Sequence, residues 1–199
     1  MASKLILPIN NELHLREIEV SDAPAIFHII NTQREYLGKW LPFVAATESW
    51  EDTYAFIQSV KDQKVPVVQI VFSIYRDKNL VGLISVLNID QGNRKAEIGY
   101  WISQNEQHQG IVTKSVLAVI NYCFTDLMLN RVQIRCGTEN LSSRKIPERL
   151  GFTLEGVERD SELMSDGHFV DHAVYSLLWI EWMERKDRLL NSSGLYKTL

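Results

Sequence analysis

The side chains able to do chemistry concentrate in two stretches. The first is Gln107–Thr113, reading QHQGIVT, a polar loop that joins the apolar and aromatic run Glu97–Ile102 to the apolar-periodic run Val112–Leu127. Strand, loop and helix in that order aim the first-turn N–H groups and the positive end of the helix dipole at one spot, which suits a phosphate. The dinucleotide fingerprint needs three glycines at fixed offsets, and the Walker loop needs a glycine directly before its lysine. Here Thr113 precedes Lys114 and Gly110 is the one glycine, so neither fits; an ordinary helix start explains the same residues. The second stretch is Thr153–Leu163, with Glu158, Asp160 and Glu162 at alternate positions. On one face of a strand they form either a solvated acidic surface or a patch that draws a cationic amine. His168 and His172 have a metal-ligand spacing for a helix, but in a strand they stand more than about 13 Å apart, so no metal is expected.

Composition narrows the setting in which these groups work. The chain has 199 residues, 45% hydrophobic and 23% charged, enough for one domain with a sizeable core. A single domain is read over residues 1–199, its core about 10–190. The formal charge of −4 argues against a nucleic-acid surface and favours a cationic partner. Residues Met1–Asn10 hold only Lys4 ahead of a short apolar patch broken by Pro8, and no apolar run is long enough to span a bilayer. The expected location is therefore the cytoplasm, with no membrane partner. Cys123 and Cys136 form no CxxC motif and no disulfide framework, so they read as buried thiols.

The elements that must position the chemistry follow from periodicity and punctuation. Glu12–Glu19 alternates as a strand; Ser21 or Asp22 caps a helix with Pro24 in its first turn. Glu35–Pro42, EYLGKWLP, has no clean period, and its Tyr36 and Trp40, with Phe43, either line a substrate groove or pack under a loop. Ser49 and Asp52 frame a capping box for a helix with the apolar face Tyr54, Phe56, Ile57 and Val60. Val67–Tyr75, Leu80–Asp90 and Glu97–Ile102, joined by short turns, make an antiparallel meander. A helix from near Ile111 packs on it; Asn130–Arg135 returns as a strand parallel to the Glu97 strand. Gly151 stops a further helix, Thr153–Leu163 and His168–Leu178 form a hairpin around Asp166 and Gly167, Ile180–Leu190 is amphipathic, and the last residues look frayed.

That order of elements, with four segments in sequence, is similar to the GNAT superfamily of acyl-CoA N-acyltransferases, over nearly the whole chain. NRKAEIGYWI, LNRVQIR, NLSSRKIPERLGFTLEG and YLGKWLP resemble its RimJ/RimL branch, whose named members acetylate the N-terminal α-amine of ribosomal proteins. The resemblance implies an α+β GNAT fold: a central mixed, twisted, seven-stranded sheet with helices on both faces, splayed between the fourth and fifth strands. It implies acetyl-CoA as acyl donor, no metal, a protein N-terminus as acceptor, and a homodimer through terminal strands. Gln107 and Gly110 match the family's pyrophosphate loop; His108 stands where a second glycine is common, and Val112 fills a Gly/Ala position. By resemblance Gln107, His108, Gln109, Gly110, Ile111, Val112 and Thr113 wrap the pyrophosphate, Tyr100, Trp101 and Ile102 offer backbone to the pantetheine arm and the oxyanion, and Asn140 and Arg144 touch the cofactor. Two readings stay open beside it: a small-amine or antibiotic acetyltransferase, and a CoA-binding protein without catalysis.

Acetyl transfer needs a neutral amine, a held oxyanion and a proton for the departing thiolate. An α-amine, with a pKa of about 7.7 to 8.0, is roughly a tenth or more deprotonated near neutrality, against under a thousandth for lysine. A base is then a modest demand. The resemblance gives that role to Glu162, directly or through water, and the proton for the thiolate to Ser143. Many superfamily members use a tyrosine four residues before the GF pair, but that position here is Pro147, which has no proton to give. Ser143 also suits a helix-capping hydroxyl.

Overall fold

In the computed structural model, which describes residues 5–193, Leu13 and Leu15 turn inward from an alternating run and His14 and Arg16 turn away. Two strands result at this end, β1 (Ile6–Pro8) and β2 (Leu13–Glu17), paired antiparallel around Asn10, whose side chain accepts from the Glu12 and Leu13 amides. β1 makes the sheet eight-stranded rather than seven. Pro8 is compatible with it because β1 is the sheet edge, where a missing N–H breaks no ladder. Lys4 and the C-terminal stretch expected to fray lie outside the described residues.

α1 (Ala23–Thr32) has Pro24 in its first turn as expected, but the Asp22 side chain does not cap it. That carboxylate is buried and accepts instead from the Ser73 and Tyr75 hydroxyls, both at 2.8 Å, and from Arg16. Three partners from the sheet outbid one helix N–H, because a buried charge must be matched. The stretch expected to be irregular instead folds into α2 (Arg34–Gly38) and, after a turn, α3 (Phe43–Ala46), with Arg34 donating to the Val44 carbonyl at 2.8 Å. α4 (Trp50–Lys61) carries the Ser49–Asp52 capping box and buries Thr53, Ile57 and Val60. Tyr54 and Phe56 point outward, contrary to expectation, since a three-and-four spacing selects Thr53 for the inner face.

The meander is β3 (Ile70–Arg76), β4 (Asn79–Asp90) and β5 (Lys95–Ile102). α5 (Ile111–Thr125) follows, then β6 (Arg131–Gly137), α6 (Leu141–Leu150), β7 (Thr153–Leu163), β8 (Phe169–Leu178) and α7 (Trp179–Ser193). Sheet order is β1-β2-β3-β4-β5-β6-β8-β7, and among the described residues only β5 and β6 run parallel. One face carries the larger core, where α5 buries Val116, Val119, Ile120, Cys123 and Phe124; fully burying a large apolar side chain contributes about 1.5–3 kcal/mol. The other face is covered by α1, α3 and α4 over Val71 and Leu83.

Candidate active site

The central feature is a gap in the sheet. β5 and β6 pair at three positions, Lys95 with Arg131, Ala96 with Val132 and Glu97 with Gln133, and then diverge. Ile98–Ile102 stays paired to β4 and Ile134–Gly137 to β8, so each presents its other backbone edge to the wedge. This is the expected splay, between the fifth and sixth strands once β1 is counted. The point of divergence is held by Glu97, a buried carboxylate that accepts from Arg135 Nε at 3.0 Å and Gln133 Nε2 at 3.2 Å. Arg135 continues to Glu158 of β7 at 3.1 Å. Nothing in the local sequence assigns Glu97 this task; the signal was a lone carboxylate in an otherwise apolar strand, which must find partners.

At the open end of the wedge stands the Gln107–Thr113 loop. Gly110 precedes α5 in the left-handed conformation (φ 75°) and no side chain caps the helix, so first-turn N–H groups face the loop. A Cβ at Gly110 would have nothing within 4 Å, as a cradle for a bulky anion requires. His108 is also left-handed (φ 61°), so this non-glycine residue carries local strain of order 1 kcal/mol. Val112 packs toward the core and Ile111 is buried there, so neither side chain is directed at the cradle. The Gln107 and Gln109 side chains are committed to holding the loop: Gln107 Nε2 donates to Tyr36 OH at 2.6 Å, and Gln109 meets Arg76, which also pairs with Glu106 at 2.8 Å. Arg149 of α6 reaches Thr113 Oγ1 at 3.3 Å and adds a cation that sequence reasoning did not place here.

On the α6 side, Asn140 caps the helix by accepting from the Ser143 amide at 3.1 Å, which leaves the Ser143 hydroxyl free of a capping role. Pro147 cannot donate to the carbonyl one turn back, that of Ser143. Tyr100 OH takes its place, donating to Ser143 O at 3.1 Å, and the Ser143 hydroxyl donates back to Tyr100 OH at 3.3 Å. Burial holds the Tyr100 phenol far above its usual range, so it stays protonated. Cys136 lies in the same neighbourhood, and burial pushes its thiol up to about 11, opposed by Ser143 and Arg144. Both cysteines are buried and free of disulfides. Arg144 donates to Tyr175 OH at 3.1 Å and Thr138 O at 3.0 Å, so its guanidinium is largely used within the protein.

The acidic residues of β7 sit on the opposite face, and not as simple alternation predicts. Glu158 pairs with His172 and Glu162 with Val170, so four steps along β7 match two along β8. The bulge turns Asp160 left-handed (φ 50°), with its N–H on the Asp171 carboxylate at 2.8 Å. Glu158 is engaged by Arg135, while Glu162 Oε2 lies 3.4 Å from His172 Nε2. His168 contacts Asp166, and no group of three or more His, Cys, Asp or Glu placed to hold a metal occurs among the described residues. Beside this face opens a cavity of about 540 Å³, walled by Gly38–Trp40, Thr138, Glu139 and the β7–β8 turn from Met164 to Asp171. Trp40 therefore lines a groove, whereas Tyr36 anchors the loop and Phe43 is exposed. Gly137 lets Trp40 approach, since a Cβ there would stand 3.3 Å from its ring. Neither Glu162 nor Ser143 lines the cavity itself. By strand register Ser143's partner Tyr100 and Glu162 lie on opposite faces, and the wedge is the passage between them.

Residues 12–153 match the protein family described as the acetyltransferase (GNAT) domain. YdaF of Bacillus subtilis (strain 168) is 40% identical over 180 residues, spanning 89% of this chain and 97% of that protein. The ribosomal-protein-serine acetyltransferase of Escherichia coli (strain K12) is 27% identical over 81% of this chain and 90% of its own length. The solved structure of RimL, a ribosomal alpha-N-protein acetyltransferase in complex with coenzyme A, superposes with a TM-score of 0.83 at 25% identity, covering 87% of this chain and 98% of that one.

Proposed function

Because the chain belongs to the GNAT acetyltransferase family, we propose that it acetylates the N-terminal α-amine of a protein, with a ribosomal protein as the favoured class. The wedge supports the reading most: two parallel strands part after three residue pairs beside an uncapped helix start, the shape a thioester carrier needs. The named activity of the E. coli relative supports the choice of acceptor. The residues present fit acetyl-CoA: the free edges of Ile98–Ile102 and Ile134–Gly137 would hold its pantetheine arm, and Gln107–Thr113 with the Arg149 cation its phosphates. When bound, it supplies the activated acetyl group and a thiol leaving group with a pKa on the order of 8.5.

The chain's own side chains then divide the work. An incoming ammonium is drawn to a cavity wall carrying Glu139, Asp166 and Asp171 against Lys39 and His168. Glu162 takes the amine proton, directly or through water, a role that contributes about 10²–10⁴ in rate. A β5 backbone N–H near Tyr100 or Trp101 stabilises the developing oxyanion. The Ser143 hydroxyl, which donates to Tyr100 OH at 3.3 Å before the thioester binds, rotates its proton to the sulfur as the thiolate departs, with Asn140 and Arg144 shaping the α6 turn around it.

A small-amine reading is favoured by one observation, the acidic cavity wall, which would also suit a polyamine. Thioester cleavage, followed by free-thiol release, separates the two when peptides with free N-termini, spermidine and aminoglycosides are compared. Turnover of peptides and loss of signal on blocking their α-amine is the expected result. Turnover of spermidine alone overturns it.

A further inference from the structure

His172 sits where no role has been assigned. It is 9% exposed, faces Gly137 and Glu158 across its two neighbouring strands, and approaches Glu162. Its Nε2 is 3.4 Å from Glu162 Oε2, longer than a formed hydrogen bond of about 2.7–3.2 Å, and catalytic bonds commonly tighten once substrate arrives. Its Nδ1 is buried and has no hydrogen-bond partner among the described residues. A buried N–H without a partner costs more than an idle acceptor, so the proton belongs on Nε2, the nitrogen that faces the carboxylate. The other charged groups near this imidazole are Glu158 and Arg135, which neutralise each other at 3.1 Å, and Asp171, which is occupied by the Asp160 amide. The bulge between Glu158 and Glu162 is what brings the carboxylate into reach.

We propose that His172 is the positioning residue for Glu162, an inference that rests on Glu162 being the base. Its Nε2–H donates to one carboxylate oxygen and leaves the other directed at the amine. The proton Glu162 accepts from the amine passes to water, since that side chain is 39% exposed. His172 keeps its own proton throughout and does not touch the acceptor.

The test compares H172F, H172Q and E162Q in the full chain by kcat and KM, with the imidazole tautomer read by nitrogen-15 NMR in the unsubstituted protein. H172F is expected to lower kcat about tenfold without changing KM for acetyl-CoA, because the carboxylate loses the donor that aims it. H172Q, whose amide N–H can replace Nε2–H, is expected to stay within about threefold of the parent. A merely structural histidine would give no kcat-specific loss in H172F and no rescue by H172Q. The proposal is overturned if H172F keeps its kcat while E162Q is inactive, or if Nδ1 carries the proton, a result that does not depend on any variant folding. Full activity of E162Q would instead remove Glu162 as base, and the His172 role with it.

Discussion

The two flanks of the wedge are built from different materials. On the proposed cofactor flank, the Gln107–Thr113 loop and the free edge of β5 offer main chain, while Gln107 and Gln109 use their side chains on Tyr36 and Arg76, and Ile111 and Val112 pack toward the core. On the proposed acceptor flank, Glu162, His172, Trp40 and the cavity acids present side chains, placed by a bulge and by a glycine under a tryptophan ring. On the proposed roles, the contrast says where substitution matters: the first flank is expected to respond to backbone geometry, the second to side-chain chemistry.

The strongest way to break the contrast is E162Q, expected to cut kcat about 10²–10⁴-fold while KM for acetyl-CoA moves less than twofold. Equal losses in both parameters would erase the division between flanks. Next comes Gly82→Ala. A Cβ there would stand 2.3 Å from the Trp101 carbonyl oxygen, so β4 must push β5 aside, at a cost of about 2–3 kcal/mol in denaturant unfolding and with a wedge edge displaced.

A finer probe pairs two substitutions in the loop. Gly110→Ala puts a side chain on a left-handed residue and is expected to weaken acetyl-CoA binding by roughly tenfold, read by calorimetry, for about 1–2 kcal/mol of strain. His108→Gly relieves such strain and is expected not to raise KM, although it deletes a whole imidazole. A large loss with His108→Gly would show that the cofactor flank reads side chains after all.

The smallest effect lies on the open face of the sheet, away from both flanks. Glu155 accepts two bonds from Arg131 at 2.6 Å, which hold its carboxyl down at about 2 despite some desolvation; Ser176 assists. A folded pKa below the unfolded value of about 4.5 contributes stability that is present above pH 4.5 and lost as pH falls toward 2. The pair is 41% exposed on the glutamate side, so solvent screening limits it to under about 1 kcal/mol. E155Q should therefore unfold slightly earlier than the parent at pH 7, with the difference in urea midpoint shrinking toward pH 3.

Local signals were readable where their causes are local. The Ser49–Asp52 capping box, Pro24 in a first turn and left-handed Gly151 after a helix all appear as the residues announce them, because each acts within one turn of its own position. Reading failed where a distant partner decides. Asp22 looks like a cap until Ser73, Tyr75 and Arg16 surround it, and EYLGKWLP looks irregular until Arg34 ties it to Val44. In the site, the loop and Ser143 could be singled out from residue patterns matched to a family. The roles of Glu97, Arg149 and His172 could not, since their partners are 38, 36 and 10 residues away in sequence and meet only through strand pairing or helix packing.

Periodicity, punctuation and charge in the chain alone thus determine most of the strands and helices, β1, α2 and α3 excepted, that the polar loop opens a helix, and that an acidic strand follows. Tertiary structure decides the rest: how far β5 and β6 stay together, which carboxylate meets which cation, and which face of the sheet each group occupies. The physical reason is that a strand's two faces are exchanged by a single-residue shift in register. That register is set by burial summed over the whole sheet, by the β7 bulge and by Glu97 joining two strands, none of which is encoded within any one segment.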